Sequence, residues 1–262
     1  MEPLPATLGI LTRNSAGTIR RALASARGFT DIIVCDGGST DGTLDIVREF
    51  GGRVIEQDAR FRDKDGRLRD YAGARNQVIA ASDGWIFFLD ADEMLTPSLL
   101  TEIKIIATNR PPGAFWVPRH YVRQGREIQC ATTYPSRQMR FFHKTAVEGY
   151  VRAIHEKVVV RPGRRVDILQ HCMLVPFDED VSVMEQKWAR YIALEVARKA
   201  NVTLLQWLTI AMRHGKVSLL YLSRLPRVLL CRDRLPLSYE LARHRYHFNL
   251  LRALARNIRS VS

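Results

Sequence analysis

Short apolar runs alternate with amphipathic segments along the first hundred residues. Residues 7–11, 31–35, 53–56 and 85–89 have the composition of buried strands. Helical spacing is seen between these runs, most clearly at residues 43–50 and 71–81. Strand–helix alternation of this kind predicts an α/β fold, with a mainly parallel sheet covered by helices on both faces. Ligands of such sheets collect at the carboxyl ends of the strands.

The pattern changes in the second half of the chain. Residues 114–122, 137–143, 156–161 and 166–171 resemble strands separated by glycine and proline. From Val181 onward the apolar residues recur at helical spacing. We therefore expect an α/β body over residues 1–180, followed by a helical region over residues 181–262.

The helical region is apolar and basic. No stretch of it reaches the ~18–20 uncharged residues that a bilayer-spanning helix requires, because residues 213–216 interrupt the apolar pattern. If residues 238–259 form a helix, apolar side chains line one side and arginines cluster on another. Such a helix lies on an anionic lipid surface or packs on the body with its basic side in water, and both readings stay open.

Charge separates the two regions. The chain has 262 residues, 46% of them hydrophobic, which excludes wholesale disorder, and a formal net charge of +13. Residues 201–262 contain 11 Lys and Arg against Asp233 and Glu240, whereas residues 1–200 are nearly balanced. This division predicts chemistry in the body and contact with an anionic surface in the tail.

The cysteines and the N-terminus bear on location. Cys35, Cys130, Cys172 and Cys231 are far apart and form no Cys-x-x-Cys pair, so we expect reduced, mostly buried thiols. The first residues lack a basic segment followed by an apolar run, so no secretory signal is expected. Both observations favour a cytoplasmic protein, with the basic tail suited to peripheral contact at the inner face of the cell membrane.

Two carboxylates follow the apolar run at residues 85–89, within the motif Leu89-Asp90-Ala91-Asp92-Glu93. In an extended segment, Asp90 and Asp92 point the same way because side chains alternate. Two hard oxygen ligands facing one point suit Mg²⁺ or Mn²⁺. The alternative is a strand end followed by a helix cap, since a helix is expected from Thr96-Pro97.

A second acidic motif, Asp36-Gly37-Gly38-Ser39-Thr40-Asp41-Gly42, follows the run at residues 31–35. Its glycines allow close approach to a ligand, and Asp36 can accept hydrogen bonds from a base or ribose. The alternative is a tight turn with Ser39 or Asp41 capping the next helix. No Walker loop and no Gly-x-Gly-x-x-Gly pattern is present.

Four motifs in this order are more specific than any one of them. They are Ile10-Leu11-Thr12-Arg13-Asn14, Val34 to Thr43, Gly73-Ala74-Arg75-Asn76 and Phe88 to Glu93. Together they resemble glycosyltransferase family 2, which implies a GT-A, Rossmann-like fold. Further along, His155-Glu156, His171, Lys187 and Arg190-Tyr191 resemble more loosely the branch that contains lipopolysaccharide inner-core β-glucosyltransferases.

The resemblance implies roles for individual residues. Residues 1–100 would form the nucleotide-sugar half of the domain and residues 101–180 the acceptor half. Thr12 and Asn14 would line the nucleotide pocket, Asp36 would contact the base, most often uracil, and Arg75 would lie near the base or diphosphate. Asp90 would face the ribose or sugar and, with Asp92, hold the metal between the phosphates. Many relatives carry two acids where this chain has Asp36-Gly37.

A direct displacement also needs a general base for the acceptor hydroxyl, on the side of the sugar opposite the diphosphate. Glu156 is the candidate, and the resemblance favours the same residue. His155 and His171 are candidate acceptor or diphosphate ligands, with packed structural histidines as the alternative. Asp178, Glu179 and Asp180 are rival bases, or the solvated start of a helix.

We therefore expect an inverting hexosyltransferase that uses a UDP-sugar and a cell-envelope glycan or glycolipid acceptor, as in lipopolysaccharide biosynthesis. A sugar-nucleotide pyrophosphorylase would share the architecture, but the glycine-rich signature of that class is missing after residue 11. A non-catalytic nucleotide- or carbohydrate-binding relative is an alternative. The net charge also suggests a nucleic-acid-binding protein as an alternative, although no recognised nucleic-acid motif is present.

Overall fold

A computed structural model describes residues 3–153, 156–177, 180–199 and 201–258. Internal contacts divide the described residues into two compact units. Unit 1 contains the residues up to Tyr121 together with Pro135–Pro176. Unit 2 contains Val122–Tyr134 and the residues from Phe177 onward. The short segment Val122–Tyr134 thus belongs with the C-terminal helices, a grouping that no pattern in the chain indicates.

Strands and helices alternate in unit 1 much as predicted. The strands of the described residues are β1 (Leu4–Thr12), β2 (Phe29–Asp36), β3 (Arg53–Glu56), β4 (Trp85–Asp90), β5 (Met94–Leu95), β6 (Gly113–Arg123), β7 (Arg126–Glu127), β8 (Ser136–His143), β9 (Val147–Val151), β10 (Lys157–Val160), β11 (Arg165–Ile168) and β12 (Met173–Pro176). The α-helices are α1 (Ala16–Ser25), α2 (Thr43–Glu49), α3 (Tyr71–Ala81), α4 (Pro97–Asn109), α5 (Val181–Arg198), α6 (Leu204–Leu229) and α7 (Leu237–Ala255).

The main sheet is mixed, with a parallel half that comes from the start of the chain. Its strand order is β3-β2-β1-β4-β8-β6-β12-β5. Strands β3, β2, β1 and β4 are parallel, whereas β8 is antiparallel to both β4 and β6. The register pairs Thr12 with Asp36 and Leu11 with Asp90. The predicted α/β fold class is confirmed, and the two acidic motifs follow strands whose carboxyl ends share one edge.

Both faces of β4 are buried, which explains its continuous apolar sequence. Phe87 and Leu89 belong to one core cluster, and Ile86 and Phe88 belong to the other. Phe88 also packs edge-on against the ring of Tyr150 in β9, with 5.4 Å between the ring centroids. The strand is thereby fixed on both sides, so the residue that ends it, Asp90, has a well-defined position.

One local expectation differs from the structure. The segment after β4 is not extended, because Ala91 and Asp92 form a turn, so Asp90 and Asp92 do not share a strand face. The charged residues at 213–216 interrupt the apolar pattern without ending the helix: α6 is one helix of 26 residues. A helix begins after Thr96 as expected, and the Thr96 hydroxyl accepts a hydrogen bond from the Leu99 N–H at 3.2 Å.

Unit 2 is built on α5, α6 and α7. The predicted apolar side of the last helix is buried in protein, since Ala242 packs with Met184 of α5 and Leu250 and Leu254 pack with Val202. This side of α7 is therefore not the one that could face lipid. Among the described helices, none combines the length and hydropathy needed to cross a membrane.

The expectation of four reduced thiols is wrong for two of them. Cys130 and Cys231 form a disulfide within unit 2, with 6.2 Å between their Cα atoms and a separation of 101 positions along the chain. Cys35, which is buried, and Cys172 are free thiols. Spacing in sequence could not indicate the pair, because the two cysteines meet only after α6 has returned to the segment before Pro135.

Candidate active site

The loops that follow β1 and β2 form one wall of the site. Asp36 is buried, and its Oδ2 accepts hydrogen bonds from the Gly38 and Ser39 N–H groups at 2.9 and 2.8 Å. Its Oδ1 accepts a third bond from the Ser39 hydroxyl at 2.5 Å. Gly38 has a φ of +86°, a conformation that favours glycine. Asp36 therefore fixes the shape of its own loop.

Asn14 ties this loop to the end of β1. It adopts a positive φ of 51°, and its Oδ1 accepts a hydrogen bond from the Thr40 N–H at 2.8 Å. Its own N–H donates to the Ser39 hydroxyl at 2.9 Å. Thr12 is buried beside it, and within the described part of the chain its hydroxyl has no hydrogen-bond partner. The structure thus brings Thr12, Asn14 and Asp36 together at one edge of the sheet.

The alternative interpretation of the second motif, a tight turn that caps the next helix, is also correct for part of that motif. Asp41 accepts hydrogen bonds from the Thr43 N–H at 3.0 Å and from the Ala16 N–H at 3.1 Å. The hydrogen bond from the Thr43 hydroxyl lowers the pKa of Asp41. Asp41 therefore joins the starts of α1 and α2, while Asp36 shapes the loop before them.

Gln57 is a residue of this wall that sequence reasoning missed. It is buried, and its side-chain amide donates to the Cys35 carbonyl at 3.1 Å and to the Thr12 carbonyl at 3.4 Å. Both carbonyls lie near the ends of the central parallel strands. A polar residue directly after the predicted strand 53–56 was the available signal, since polar side chains gather where parallel strands end.

Arg75 of α3 is a buried cation among the predicted site residues. It is buried, and its Nη2 donates to Asp90 Oδ1 at 2.9 Å while its Nε donates to Glu156 Oε1 at 3.1 Å. The guanidinium carbon lies 5.1 Å from the centre of the Phe88 ring and 5.5 Å from that of Tyr150. Arg75 therefore links two predicted site carboxylates.

Arg140 of β8 is a second buried arginine that the sequence patterns did not single out. Its Nη1 lies 3.0 Å from Asp90 Oδ1 and its Nη2 lies 2.5 Å from Asp90 Oδ2. Burial acts to raise the pKa of Asp90, but the charges of Arg140 and Arg75 outweigh it and hold that pKa well below its usual range. Arg140 lies between Met139 and Phe141 in a strand, and a charge within an apolar run was the overlooked signal.

Glu93 has a structural role in the acidic motif. It is buried and accepts a hydrogen bond from Arg119, and its Oε2 lies 3.7 Å from Arg140 Nη2. The Asp90 N–H also donates to Glu93 Oε2 at 3.3 Å. These contacts fix the turn that presents Asp92, which is exposed and forms no hydrogen bond or ion pair with the described residues.

The two aspartates of the motif differ as candidate metal ligands. Asp92 has hard carboxylate oxygens that no other described residue engages, so it fits Mg²⁺ or Mn²⁺, which take further ligands from water and phosphates. The carboxylate of Asp90 is already engaged by two guanidinium groups. The extended geometry on which the pairing of these residues rested was wrong, and a metal contact by Asp90 stays a prediction.

Glu156 is held close to α3 by several contacts. The Asn76 Nδ2 group donates to the Tyr150 carbonyl at 2.9 Å, and the Tyr150 N–H donates to Asn76 Oδ1 at 2.7 Å. The Tyr71 N–H donates to the Ala153 carbonyl at 2.9 Å. The start of α3 is thereby tied to the segment before Glu156, whose side chain is 22% exposed. The carboxylate can therefore be reached from solvent.

Other predicted residues are placed elsewhere or are not described. The backbone N–H of His171 donates to Glu102 of α4 at 3.0 Å, and no contact within the described ranges joins His171 to Arg75. Asp180 lies at the start of α5 in unit 2. His155, Asp178 and Glu179 lie outside the described residues.

Comparison with known proteins decides the family. The family model "Glycosyl transferase family 2" matches residues 7–156, more than half of the chain. The chain belongs to this family. The match runs from β1 to Glu156 and so includes every predicted site residue except His171.

Similar proteins have longer chains. The chain is 34% identical over 154 residues to a TPR repeat-containing protein of Synechococcus elongatus, covering 58% of this chain and 35% of that protein. It is 35% identical over 106 residues to the glycosyltransferase AglJ of Haloferax volcanii, covering 38% of this chain and 34% of that protein. The chain therefore spans about a third of the length of these relatives.

A solved structure agrees on the fold. Residues 1–349 of S. aureus TarS, in complex with UDP-GlcNAc, match with a TM-score of 0.50 over 96% of this chain and 90% of that one. The sequence identity is 13%, so the likeness concerns the fold alone. The predicted GT-A-like α/β architecture is confirmed.

Proposed function

We propose that this protein is an inverting glycosyltransferase that moves a hexose from a UDP-sugar to a hydroxyl of a cell-envelope glycan or glycolipid. The observation that carries the proposal is the double contact of Arg75. One guanidinium holds Asp90, on the donor side, and Glu156, the candidate base. Membership of glycosyl transferase family 2 supports the reaction class.

The loops after β1 and β2 suit a nucleotide base. A carboxylate has about four acceptor positions, and the Asp36 loop uses three of them. The remaining position can accept a base N–H, as uracil offers. The buried Thr12 hydroxyl, which lacks a protein partner in the described residues, supplies a further polar group at the same edge.

Asp92 is the residue that would hold a divalent cation, with Asp90 as the predicted second contact. When bound, Mg²⁺ or Mn²⁺ offsets the negative charge that develops on the departing diphosphate. Arg75 and Arg140 balance the charge of Asp90, so Asp92 is the carboxylate of this turn that no cation of the described residues engages. Glu93, through Arg119, keeps the turn in place.

In the proposed transfer, the acceptor oxygen attacks the anomeric carbon from the face opposite the diphosphate. A new carbon–oxygen bond forms while the bond to the diphosphate breaks, and its electron pair leaves with UDP. The carboxylate of Glu156 takes the acceptor proton. Arg75 orients this carboxylate through its Nε–H, so that one oxygen of Glu156 remains for the acceptor.

The acceptor class is inferred from the resemblance and from the charge of the C-terminal region. The loose resemblance to lipopolysaccharide inner-core β-glucosyltransferases and the basic C-terminal region favour an anionic or lipid-linked glycan. We propose cytoplasmic chemistry at the inner face of the cell membrane, with residues 1–100 serving the donor and residues 101–180 serving the acceptor. His155 and His171 remain candidate acceptor or diphosphate contacts.

The donor half can be tested without knowing the acceptor. Slow hydrolysis of a panel of UDP-sugars in the presence of Mn²⁺ should identify the donor. Asp92→Ala should abolish Mn²⁺-dependent hydrolysis and weaken UDP binding in calorimetry, whereas Asp83→Ala, an exposed control, should not. Full activity of Asp92→Ala would overturn the metal assignment, and binding of a DNA duplex in place of UDP would favour the nucleic-acid alternative.

The base assignment has its own test. Glu156→Gln should still bind UDP-sugar but lose transfer by ~10²-fold or more, because the amide cannot take the acceptor proton. Glu148→Gln, at an exposed position of β9, is the matched control. If Glu156→Gln turned over like the parent, another residue would be the base.

A further inference from the structure

Helix α6 has two apolar faces, and the fold of unit 2 uses one of them. Trp207 Nε1 donates to the Leu251 carbonyl of α7 at 3.0 Å, and the ring of Tyr221 lies 6.4 Å from that of His244. On the other face lies a set of exposed side chains that we term the α6 stripe. Its members are Leu205, Leu208, Met212, Leu219, Leu222 and Leu230, which follows the helix.

The α6 stripe runs along the whole length of the helix. At 100° per residue its six members fall within an arc of about 100° on the helix surface. Their side chains are between 43% exposed (Leu208) and 90% exposed (Leu230). The 26-residue helix gives the stripe a length of about 39 Å. An exposed apolar surface of this extent is typical of an interaction site.

The charges beside the stripe indicate what it contacts. Helix α6 contains Arg213, Lys216, Arg224 and Arg227 and no acidic residue. Helical spacing places Lys216 and Arg227 along one edge of the α6 stripe. A row of apolar side chains bordered by cations matches the acyl chains and phosphates of an anionic bilayer surface.

Helix α7 extends the same surface. The contact of Trp207 with Leu251, and of Tyr221 with His244, shows that α6 and α7 run antiparallel. In each helix, the exposed apolar face is reached from the face that contacts the other helix by turning in the direction in which the chain winds. Because the two helices run in opposite directions, this turn brings both exposed apolar faces to the same side of the pair. Phe248 of α7, 65% exposed, thus lies on the side of the α6 stripe.

We propose that the α6 stripe binds the surface of an anionic phospholipid bilayer. Its apolar side chains enter the boundary between headgroups and acyl chains, and Lys216 and Arg227 contact the lipid phosphates. The helix lies in the plane of the bilayer. This assigns the membrane contact to α6 and the exposed side of α7, since the apolar side of α7 that the sequence indicated is buried. The membrane location rests on the proposed function, whereas none of the residues assigned to the transfer step belongs to the α6 stripe.

Sedimentation with lipid vesicles tests the proposal on the whole chain. The parent protein should sediment with phosphatidylcholine vesicles that contain about 30% phosphatidylglycerol, and only weakly with phosphatidylcholine alone. Leu205→Ser with Leu219→Ser should lower the bound fraction about tenfold, because the buried apolar area is lost. Lys216→Gln and Arg227→Gln should each weaken binding to the anionic vesicles about fivefold.

Controls separate the outcomes. Ile105→Ser replaces an exposed apolar side chain of α4 in unit 1 and should leave vesicle binding unchanged. Circular dichroism should show the parent helix content in all variants, and the charge variants decide the matter if the serine variant unfolds. Equal binding of the parent and the stripe variants, or no binding of the parent, would overturn the proposal.

A second copy of the chain is the competing occupant of the stripe. Light scattering that showed a dimer for the parent and a monomer for the serine variant, without vesicle binding, would assign the stripe to self-association and overturn the membrane proposal. UDP-sugar hydrolysis in vesicle-free buffer should be unchanged in the stripe variants. Failure of this inference is thereby distinguishable from failure of the proposed transferase activity.

Discussion

Arg75 Nε lies 3.1 Å from Glu156 Oε1 and joins two residues that are 81 positions apart. The same guanidinium holds Asp90, which ends the central strand β4. Because Arg75 is buried against Phe88 and Tyr150, it has little freedom to move. The position of the candidate base is therefore set by the strand that also precedes Asp92.

Substitution of Arg75 should affect stability and transfer in different ways. Arg75→Met leaves Glu156 without the guanidinium that holds it, while Asp90 keeps Arg140, so the free energy of unfolding should fall by about 1–3 kcal/mol. Arg75→Lys keeps the charge but lacks the planar fork that reaches two carboxylates, so transfer should fall more than stability does. Urea unfolding and turnover, compared with those of the exposed control Arg60→Lys, check both expectations.

Gly149 of β9 should not tolerate a side chain. Its φ is +130°, and a Cβ atom there would lie 2.7 Å from Asn76 Oδ1, the group that holds Tyr150. Gly149→Ala should lower the free energy of unfolding by about 1–3 kcal/mol. Gly215→Ala, in the middle of α6 with open space around it, should raise it by about 0.5–1 kcal/mol. Thermal unfolding of the two variants against the parent would show opposite shifts.

The α6–α7 packing should weaken in acid. Burial, followed by the charges of His214, His244 and Arg243, lowers the pKa of His247 from 6.5 to about 4. Between these two values the unfolded chain binds a proton that the folded chain does not, so the free energy of unfolding falls as the pH drops from about 6.5 towards 4. His247→Asn should flatten this slope in urea titrations at a series of pH values, and an unchanged slope would contradict the assignment.

The disulfide of unit 2 predicts a thiol count. Protein purified without reductant and then denatured should expose two reactive thiols, from Cys35 and Cys172, and reduction should raise the count to four. Reduction should also lower the free energy of unfolding by about 3–5 kcal/mol, because the bond closes a loop of some hundred residues. Cys130→Ser should be insensitive to reductant, whereas Cys172→Ser should respond like the parent.

The parallel half of the sheet was predictable because burial on both faces leaves apolar runs that end at polar residues. Asp36 and Asp90 were found in this way, since each ends such a run. The partners of these residues were not predictable in the same way. The contacts of Arg75 with Glu156 and of Arg140 with Asp90 join distant segments, and periodicity carries no information about such pairs.

Local patterns also failed where tertiary packing outweighs them. The turn at Ala91 and Asp92 depends on the buried contact of Glu93 with Arg119, which supports it from another strand. Helix α6 continues through Arg213 to Lys216 because one of its sides packs on α7 while those charged residues stay exposed.

Unit 2 also constrains the order in which the chain completes its fold on the ribosome. Thr132 is buried with Glu240, which accepts a hydrogen bond from the Thr132 N–H at 3.1 Å and lies 108 residues later in the chain. Proteins emerge N-terminus first, so unit 1 can close once residue 176 has left the exit tunnel. Val122–Tyr134 must wait for the helices that cover it, which makes this segment the place where a newly synthesised chain needs protection longest.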